Sequence, residues 1–160
     1  MSIQVGQHVP AAILQYIDNG VHRIDTHTLF GGRKLVLFSV PGAFTPTCSE
    51  RHLPGFIQHF DAFRAKGIEV ACMAVNDAFV MQAWGRSQGV PQGMKMLADG
   101  NADFTRALGL ELDASGYGMG VRSKRFALYA ENEIVRGLWV EAPGEFRVSS
   151  AENVLANLPG

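Results

Sequence analysis

The 160-residue sequence contains only two cysteines, Cys48 and Cys72, and it has no C-x-x-C motif. A secreted disulfide scaffold carries more cysteines in a much shorter chain, so that class of protein is excluded. In a reducing compartment both cysteines are normally free thiols, and any bond between them is transient and chemical. Two cysteines and five scattered histidines also match none of the spacings of a structural zinc site.

Strong charge and long apolar runs are missing as well. The formal net charge of -1 argues against a nucleic-acid-binding protein, which usually carries a basic excess. No apolar run approaches the roughly 20 residues that a bilayer-spanning helix needs. Residues 1–7 lack the basic and apolar regions of a secretory signal, which favours a cytoplasmic protein. With 47% hydrophobic and 18% charged residues, the chain has the composition of one domain with a proper core, 1–160.

The most informative stretch runs from a buried strand into a helix. Residues 35–40 form an apolar, β-rich run typical of a strand buried on both faces, and a Pro-Gly pair at 41–42 ends it. A helix start follows, with Thr45 as the N-cap and Pro46 at the first helical position. Cys48 is then the third helical residue, among backbone N–H groups that have no partner inside the helix.

Those N–H groups and the helix dipole favour an anion, and a thiolate is the anion that a cysteine supplies. The stretch therefore predicts one reactive sulfur at Cys48. The alternative is a buried structural cysteine, since free cysteine is among the most buried residue types.

The rest of the pattern predicts an α/β fold, with helices around a mixed central β-sheet and an N-terminal hairpin. Pro54 falls inside the helix after Cys48 and should kink it about two turns beyond that cysteine. Residues 111–120 are glycine- and serine-rich and indicate an exposed loop, and a capping box at 149–152 precedes the last helix. The other predicted strands lie at 11–17, 21–24, 68–75, 96–98, 126–130 and 134–140.

The motif Pro41-x-x-x-Thr45-x-x-Cys48 resembles the P-x-x-x-T-x-x-C signature of the peroxiredoxins. Further stretches narrow the resemblance to the type-II, or peroxiredoxin-five, subfamily: His52-Leu-Pro-Gly-Phe56, Val75-Asn-Asp77, Arg122-Ser-Lys-Arg-Phe126 and Gly144-Glu-Phe146. The likeness covers almost the whole chain. It implies a thioredoxin-like fold and a thiol peroxidase that reduces hydrogen peroxide and small alkyl hydroperoxides without metal, haem or flavin.

The resemblance also implies roles for individual residues. Cys48 matches the peroxidatic cysteine, whose thiolate attacks the peroxide O–O bond and becomes a sulfenic acid. Thr45 matches the residue that hydrogen-bonds sulfur and peroxide, and Pro41 the residue packed over them. The active-site arginine is assigned to Arg125, with Arg122 as its rival. A fixed guanidinium would keep the sulfur ionised and offer several donors to the transition state.

The oxidised sulfur can be reduced again by one of two routes. Cys72 matches the position of a proposed resolving thiol in plant and some bacterial members of the subfamily. It lies in an apolar strand run, however, where a cysteine is typically inert, and a disulfide needs Cα atoms within about 7 Å. The alternative is an external donor, glutathione with glutaredoxin or thioredoxin, that reduces Cys48 directly.

Three other expectations concern neighbours of the sulfur and rival functions. His52 lies four residues after Cys48 and could tune the thiol, although a bond to backbone or water is the simpler expectation. Phe44 and Phe79 are expected in the loops through which the subfamily forms homodimers. Rival functions are a thiol–disulfide oxidoreductase, a cysteine hydrolase with His52 as base, and a non-enzymatic redox sensor or holdase; the missing C-x-x-C counts against the first.

Overall fold

A seven-stranded mixed sheet forms the centre of the computed structural model, which describes residues 2–159. The strands in chain order are β1 Ile13–Ile17, β2 Val21–Asp25, β3 Lys34–Val40, β4 Ile68–Ala74, β5 Lys95–Ala98, β6 Glu111–Asp113, β7 Val121–Ser123, β8 Phe126–Glu131 and β9 Ile134–Val140. The order across the large sheet is β2-β1-β5-β4-β3-β8-β9, while β6 and β7 pair separately. Strands β3, β4 and β5 are parallel, and the hairpins β1–β2 and β8–β9 add antiparallel pairs on either side. The predicted mixed sheet and N-terminal hairpin are confirmed.

Helices cover both faces of this sheet. They are α1 Thr26–Phe30, α2 Leu53–Gln58, α3 Phe60–Ala65, α4 Ala78–Gln88, α5 Asp103–Leu108 and α6 Ala151–Ala156. Side chains alternate along β3, so Phe38 packs with Phe56 and Trp84 on one face while Leu37 packs with Phe104 on the other. Burial on both faces explains why the β3 sequence is an uninterrupted apolar run.

Two local predictions were wrong. Residues 111–120 are not a plain loop, because β6 pairs with β7 and a 3₁₀ turn, Ser115–Tyr117, lies between them. The last helix is capped by Ser150, whose hydroxyl accepts from the N–H of Asn153; the Ser149 hydroxyl instead donates to Glu141.

None of the helices within residues 2–159 has the length and apolar character of a membrane span.

Candidate active site

The connection from β3 to the next helix folds tightly on itself. The helix begins at Pro46, and the carbonyl of Thr45 accepts its first backbone bond, from Ser49 at 2.9 Å. Cys48 is therefore the third helical residue, as the sequence predicts. A Cβ on Gly42 would lie 3.1 Å from the Thr45 methyl group and 3.2 Å from the Met119 methyl group, so a side chain at position 42 would crowd this turn.

Thr45 contributes differently from the prediction. Its hydroxyl does not cap the first turn but donates to the Gly42 carbonyl at 2.6 Å. A hydroxyl has one proton to give and two lone pairs to accept with. Because that proton is committed to Gly42, the Thr45 oxygen is left as an acceptor.

The helix is irregular from Cys48 onward. Residues Cys48–His52 form a π-helical turn, in which the N–H of Leu53 donates to the carbonyl of Cys48. Pro54 follows as the second residue of α2; it has no N–H for the carbonyl of Glu50, and its ring would clash with that carbonyl in a regular helix. The wider turn removes the conflict. The departure from α-geometry thus starts at Cys48, two turns earlier than predicted, and it brings His52 fully into the interior.

Arg125, the residue just before β8, contacts the sulfur. Its Nη2–H donates to Sγ of Cys48 at 3.1 Å, and its Nη1–H donates to Nδ1 of His52 at 3.0 Å. Cys48 and His52 are both completely buried. Arg122 does not reach the sulfur; its Nε–H donates to the Met119 carbonyl at 2.9 Å. The structure therefore places Arg125 at the sulfur and its rival at the edge of the Gly42 turn.

The hydrogen-bond partners of His52 show which of its two ring nitrogens carries the proton. Nε2 lies 3.0 Å from the carbonyl of Ser149, which can only accept, so Nε2 carries the hydrogen. Nδ1 is then the unprotonated nitrogen and accepts from Arg125. Burial, and next the positive charge of Arg125, lower the pKa of His52 to about 3, although the bond to Ser149 opposes this shift. His52 is therefore a neutral ring whose two nitrogens bond Arg125 and the Ser149 carbonyl, and neither nitrogen is bonded to the sulfur.

The neutral His52 predicts an acid-sensitive fold. Between about pH 6.5 and pH 3 the unfolded chain binds a proton at this residue and the folded chain does not. The free energy of unfolding therefore falls as the pH falls through this window, by about 1.4 kcal/mol per pH unit from His52. Urea unfolding at pH 7, 6 and 5 measures the slope. In His52→Gln, where position 52 does not titrate, the slope should be shallower by that amount; equal slopes would contradict the assignment.

The segment between β9 and α6 closes the site from above. The Phe146 ring lies 5.0 Å from the His52 ring and 5.8 Å from the Arg125 guanidinium carbon. Residues 142–145 of the same segment line a cavity of about 120 Å³ together with Pro41, Thr47 and Arg125. Arg125 lines this cavity and also donates to Sγ of Cys48, so its guanidinium connects the cavity to the sulfur.

The second cysteine lies in the central sheet and not along this cavity. Cys72 lies in the middle of β4, paired with Phe38 on one side and Met96 on the other, and it is completely buried. Burial, and to a lesser extent the charge of a neighbouring Cys48 thiolate, raise the pKa of the Cys72 thiol well above its ordinary value. Such a thiol is protonated and hard to reach.

Sequence reasoning missed two residues of this arrangement, Ser149 and Glu141. Ser149 holds His52 through its carbonyl, and Glu141 binds the backbone of residues 147–149. The predicted hairpin of β8 and β9 could have indicated that Glu141 lies near the site. The pairing of Phe126 with Val140, continued by one residue, places Glu141 beside Arg125, and the N–H of Glu141 donates to the Arg125 carbonyl at 2.9 Å.

Comparisons with known proteins agree with this geometry. The family described as Redoxin matches residues 4–155. The chain is similar to "Peroxiredoxin-2E-2, chloroplastic" of Oryza sativa subsp. japonica, with 49% identity over 98% of this chain and 73% of the relative. Among solved structures it is similar to reduced Prx3 in complex with H₂O₂ from Vibrio vulnificus (51% identity, TM-score 0.94, 98% and 99% of the two chains). It is also similar to peroxiredoxin 5 from Alvinella pompejana (36% identity, TM-score 0.82, 96% of each chain).

These likenesses extend over nearly the full length of the chain and include relatives of both the type-II and the peroxiredoxin-five kind. The fold class, the family and the reaction class inferred from the sequence are thereby confirmed. The chain belongs to the redoxin family and, within it, to the type-II peroxiredoxins: it is a thiol-dependent peroxidase, with a hydroperoxide as substrate and a thiol as reductant.

Proposed function

We propose that Cys48 is the peroxidatic cysteine and that Arg125, Thr45 and Pro41 complete the site around it. The observation that carries this proposal is the 3.1 Å contact between Arg125 Nη2 and Cys48 Sγ in the first turn of a helix. The thiolate attacks one peroxide oxygen, so that an S–O bond forms and the O–O bond breaks. The other oxygen leaves as an alcohol or water after it takes a proton, and Cys48 becomes a sulfenic acid.

Arg125 supports both ends of this displacement. Its guanidinium offers N–H donors to the sulfur and to the oxygens as charge moves from one to the other. Because the partner at Nη1 is a neutral imidazole rather than a carboxylate, no counter-ion at that position offsets its positive charge. That charge therefore remains available to the anionic sulfur and to the leaving oxygen.

Thr45 and Pro41 orient the substrate. Since the Thr45 hydroxyl donates to Gly42, its oxygen is suited to accept the O–H of a hydroperoxide. Pro41 lines the cavity beside Arg125 and excludes water from the reacting atoms. The narrow cavity favours hydrogen peroxide and small alkyl hydroperoxides over bulky ones.

An external thiol recycles Cys48 in this proposal, with glutathione and glutaredoxin or thioredoxin as the donor. What supports it is the burial of Cys72 in the middle of a strand that is paired on both sides, together with the raised pKa of its thiol. Because β4 is paired on both sides, it cannot carry Cys72 toward another thiol without losing sheet hydrogen bonds.

Replacing Cys72 by alanine should leave recycling intact. We expect Cys72→Ala to turn over within about twofold of the wild type with each donor, because alanine removes the thiol without burying an unpaired polar group. Peroxide consumption assayed separately with glutathione–glutaredoxin and with thioredoxin measures this. Loss of turnover with both donors, while the first oxidation stays fast, would show that Cys72 is the resolving thiol.

Three further parts of the proposal concern the protein as a whole. We propose one domain over residues 1–160, a cytoplasmic location, and a homodimer formed through the active-site face. Support for the dimer comes from Phe44 and Phe79, which are 56% and 68% exposed. A 3.0 Å bond from the Ala43 N–H to the Asn76 side chain joins the turn that carries Phe44 to the loop just before α4, whose second residue is Phe79. Exposed apolar side chains mark an interaction surface where they form a contiguous patch. Sedimentation equilibrium of the wild-type chain measures the assembly directly.

A further inference from the structure

Glu141 is a buried carboxylate that the mechanism above does not use. The residue directly follows β9 and is 6% exposed. Its carboxylate accepts from the N–H groups of Arg147, Val148 and Ser149 at 2.7 to 2.9 Å, and from the Ser149 hydroxyl at 2.7 Å. Although Glu141 borders the substrate cavity, its oxygens are occupied by these donors, so it is a poor candidate for a proton acceptor.

These bonds hold the part of the chain that closes the site. Residues 142–149 form no regular helix or strand, so neither a ladder nor a helix fixes their backbone. The same segment supplies the Ser149 carbonyl that accepts from His52 at 3.0 Å and the Phe146 ring that lies over Arg125 and His52. Its placement therefore decides where both of these contacts fall.

We propose that Glu141 is a positioning residue for the peroxidase reaction: its carboxylate fixes the backbone at 147–149, Ser149 fixes His52, and His52 holds Arg125 against Cys48. The proposal rests on the role of Arg125 at Cys48 that is proposed above. Each link in this series is a bond of 2.7 to 3.1 Å between buried or partly buried groups. In such a network, loss of one member leaves its neighbours unpaired.

The negative charge of Glu141 is part of the arrangement. Burial alone would raise the pKa of this carboxyl, but the bonds from Ser149, Arg147 and Val148 outweigh burial, and the pKa lies below its ordinary value. The surrounding groups are all donors, so the site suits a carboxylate that only accepts. A glutamine would turn its own N–H₂ group toward some of those N–H groups and lose bonds.

The test compares Glu141→Gln with a matched buried carboxylate. Glu133 is 9% exposed and accepts from His27 at 2.8 Å, but it lies in the turn of the β8–β9 hairpin, at the end remote from Arg125. We expect Glu141→Gln to lower the rate constant for peroxide with reduced protein by about tenfold or more, since it loses charge-assisted bonds. Glu133→Gln should react like the wild type even where its melting temperature falls.

Two readouts separate positioning from a purely structural role. The thiolate absorbance at 240 nm, at fixed pH, should decrease in Glu141→Gln, and kcat/KM should fall for the hydroperoxide but not for the reducing thiol. In an Arg125→Lys background the added Glu141→Gln change should cost about twofold or less, because no guanidinium remains to be positioned. Additive losses would overturn the proposal.

Ser149→Ala extends the test if Glu141→Gln folds poorly. It removes one of the bonds to Glu141 and keeps the Ser149 carbonyl, so we expect a loss of about fivefold, which again vanishes in the Arg125→Lys background. A wild-type rate in Ser149→Ala, or in folded Glu141→Gln, would overturn the proposed role of Glu141 and leave that of Cys48 standing. A wild-type protein that reacts no faster than free cysteine would overturn the role of Cys48 and, with it, this inference.

Discussion

Cys48→Ser loses rapid peroxide consumption altogether. The serine hydroxyl keeps the shape of the side chain but supplies no thiolate, so the attacking atom of the reaction is gone. We expect the rate constant with stoichiometric hydrogen peroxide to fall by about 10⁴-fold or more, as it does when a catalytic nucleophile is removed. Stopped-flow mixing of the reduced protein with one equivalent of peroxide measures it.

The matched control for this variant is Cys72→Ala, which removes the only other thiol in the chain. It should consume the first equivalent of peroxide at the wild-type rate, since Cys72 is buried in β4 and the Arg125 guanidinium donates to Cys48 and His52 instead. Fast consumption by Cys48→Ser, or slow consumption by Cys72→Ala, would contradict the assignment of Cys48 as the reacting sulfur.

Arg125→Lys has the second largest effect. A lysine keeps the positive charge, but its three N–H donors share one nitrogen, so it cannot reproduce the planar fork in which two nitrogens bond Sγ of Cys48 and Nδ1 of His52. We expect a loss of about 10² to 10³-fold in the rate constant for peroxide, the range found when one transition-state donor is removed. The thiolate absorbance at 240 nm should also decrease at a given pH.

Arg122→Lys is the control for this change, because it alters the same residue type three positions earlier in the chain. Arg122 donates to the Met119 carbonyl and has no bond to the sulfur. Its replacement should change the rate by about threefold or less, the cost of a partly exposed hydrogen bond. If the two variants lose similar activity, the guanidinium of Arg125 has no special place at the sulfur.

The parts of the fold that can be predicted from the sequence are those with local signals. The strand expected at 35–40 is β3, Lys34–Val40, because burial on both faces leaves a continuous apolar run. Cys48 is the third residue of its helix because Pro46 marks the helix start. By contrast, β6 and β7 have three residues each, too few for an alternating pattern to show.

The contacts around the sulfur depend on segments that are far apart in the chain. Arg125 and His52 are 73 residues apart, and His52 and Ser149 are 97 apart. No spacing rule connects them, since their meeting depends on how β8 and the segment before α6 pack over the helix. The motif resemblance supplies Arg125, whereas the hydrogen-bonding partners of Arg125 follow only from the coordinates.

The π-helical turn at Cys48–His52 also separates two demands on one helix. A residue advances a regular helix by about 100°, so one extra residue in a turn rotates everything after it by that angle relative to everything before it. Leu53 and Phe56, beyond the turn, are completely buried against the sheet, while Cys48, the first residue of the turn, contacts Arg125. The direction in which Cys48 points is thus set separately from the direction in which Leu53 and Phe56 point. Changes in packing around Leu53 or Phe56 need not turn the sulfur away from Arg125.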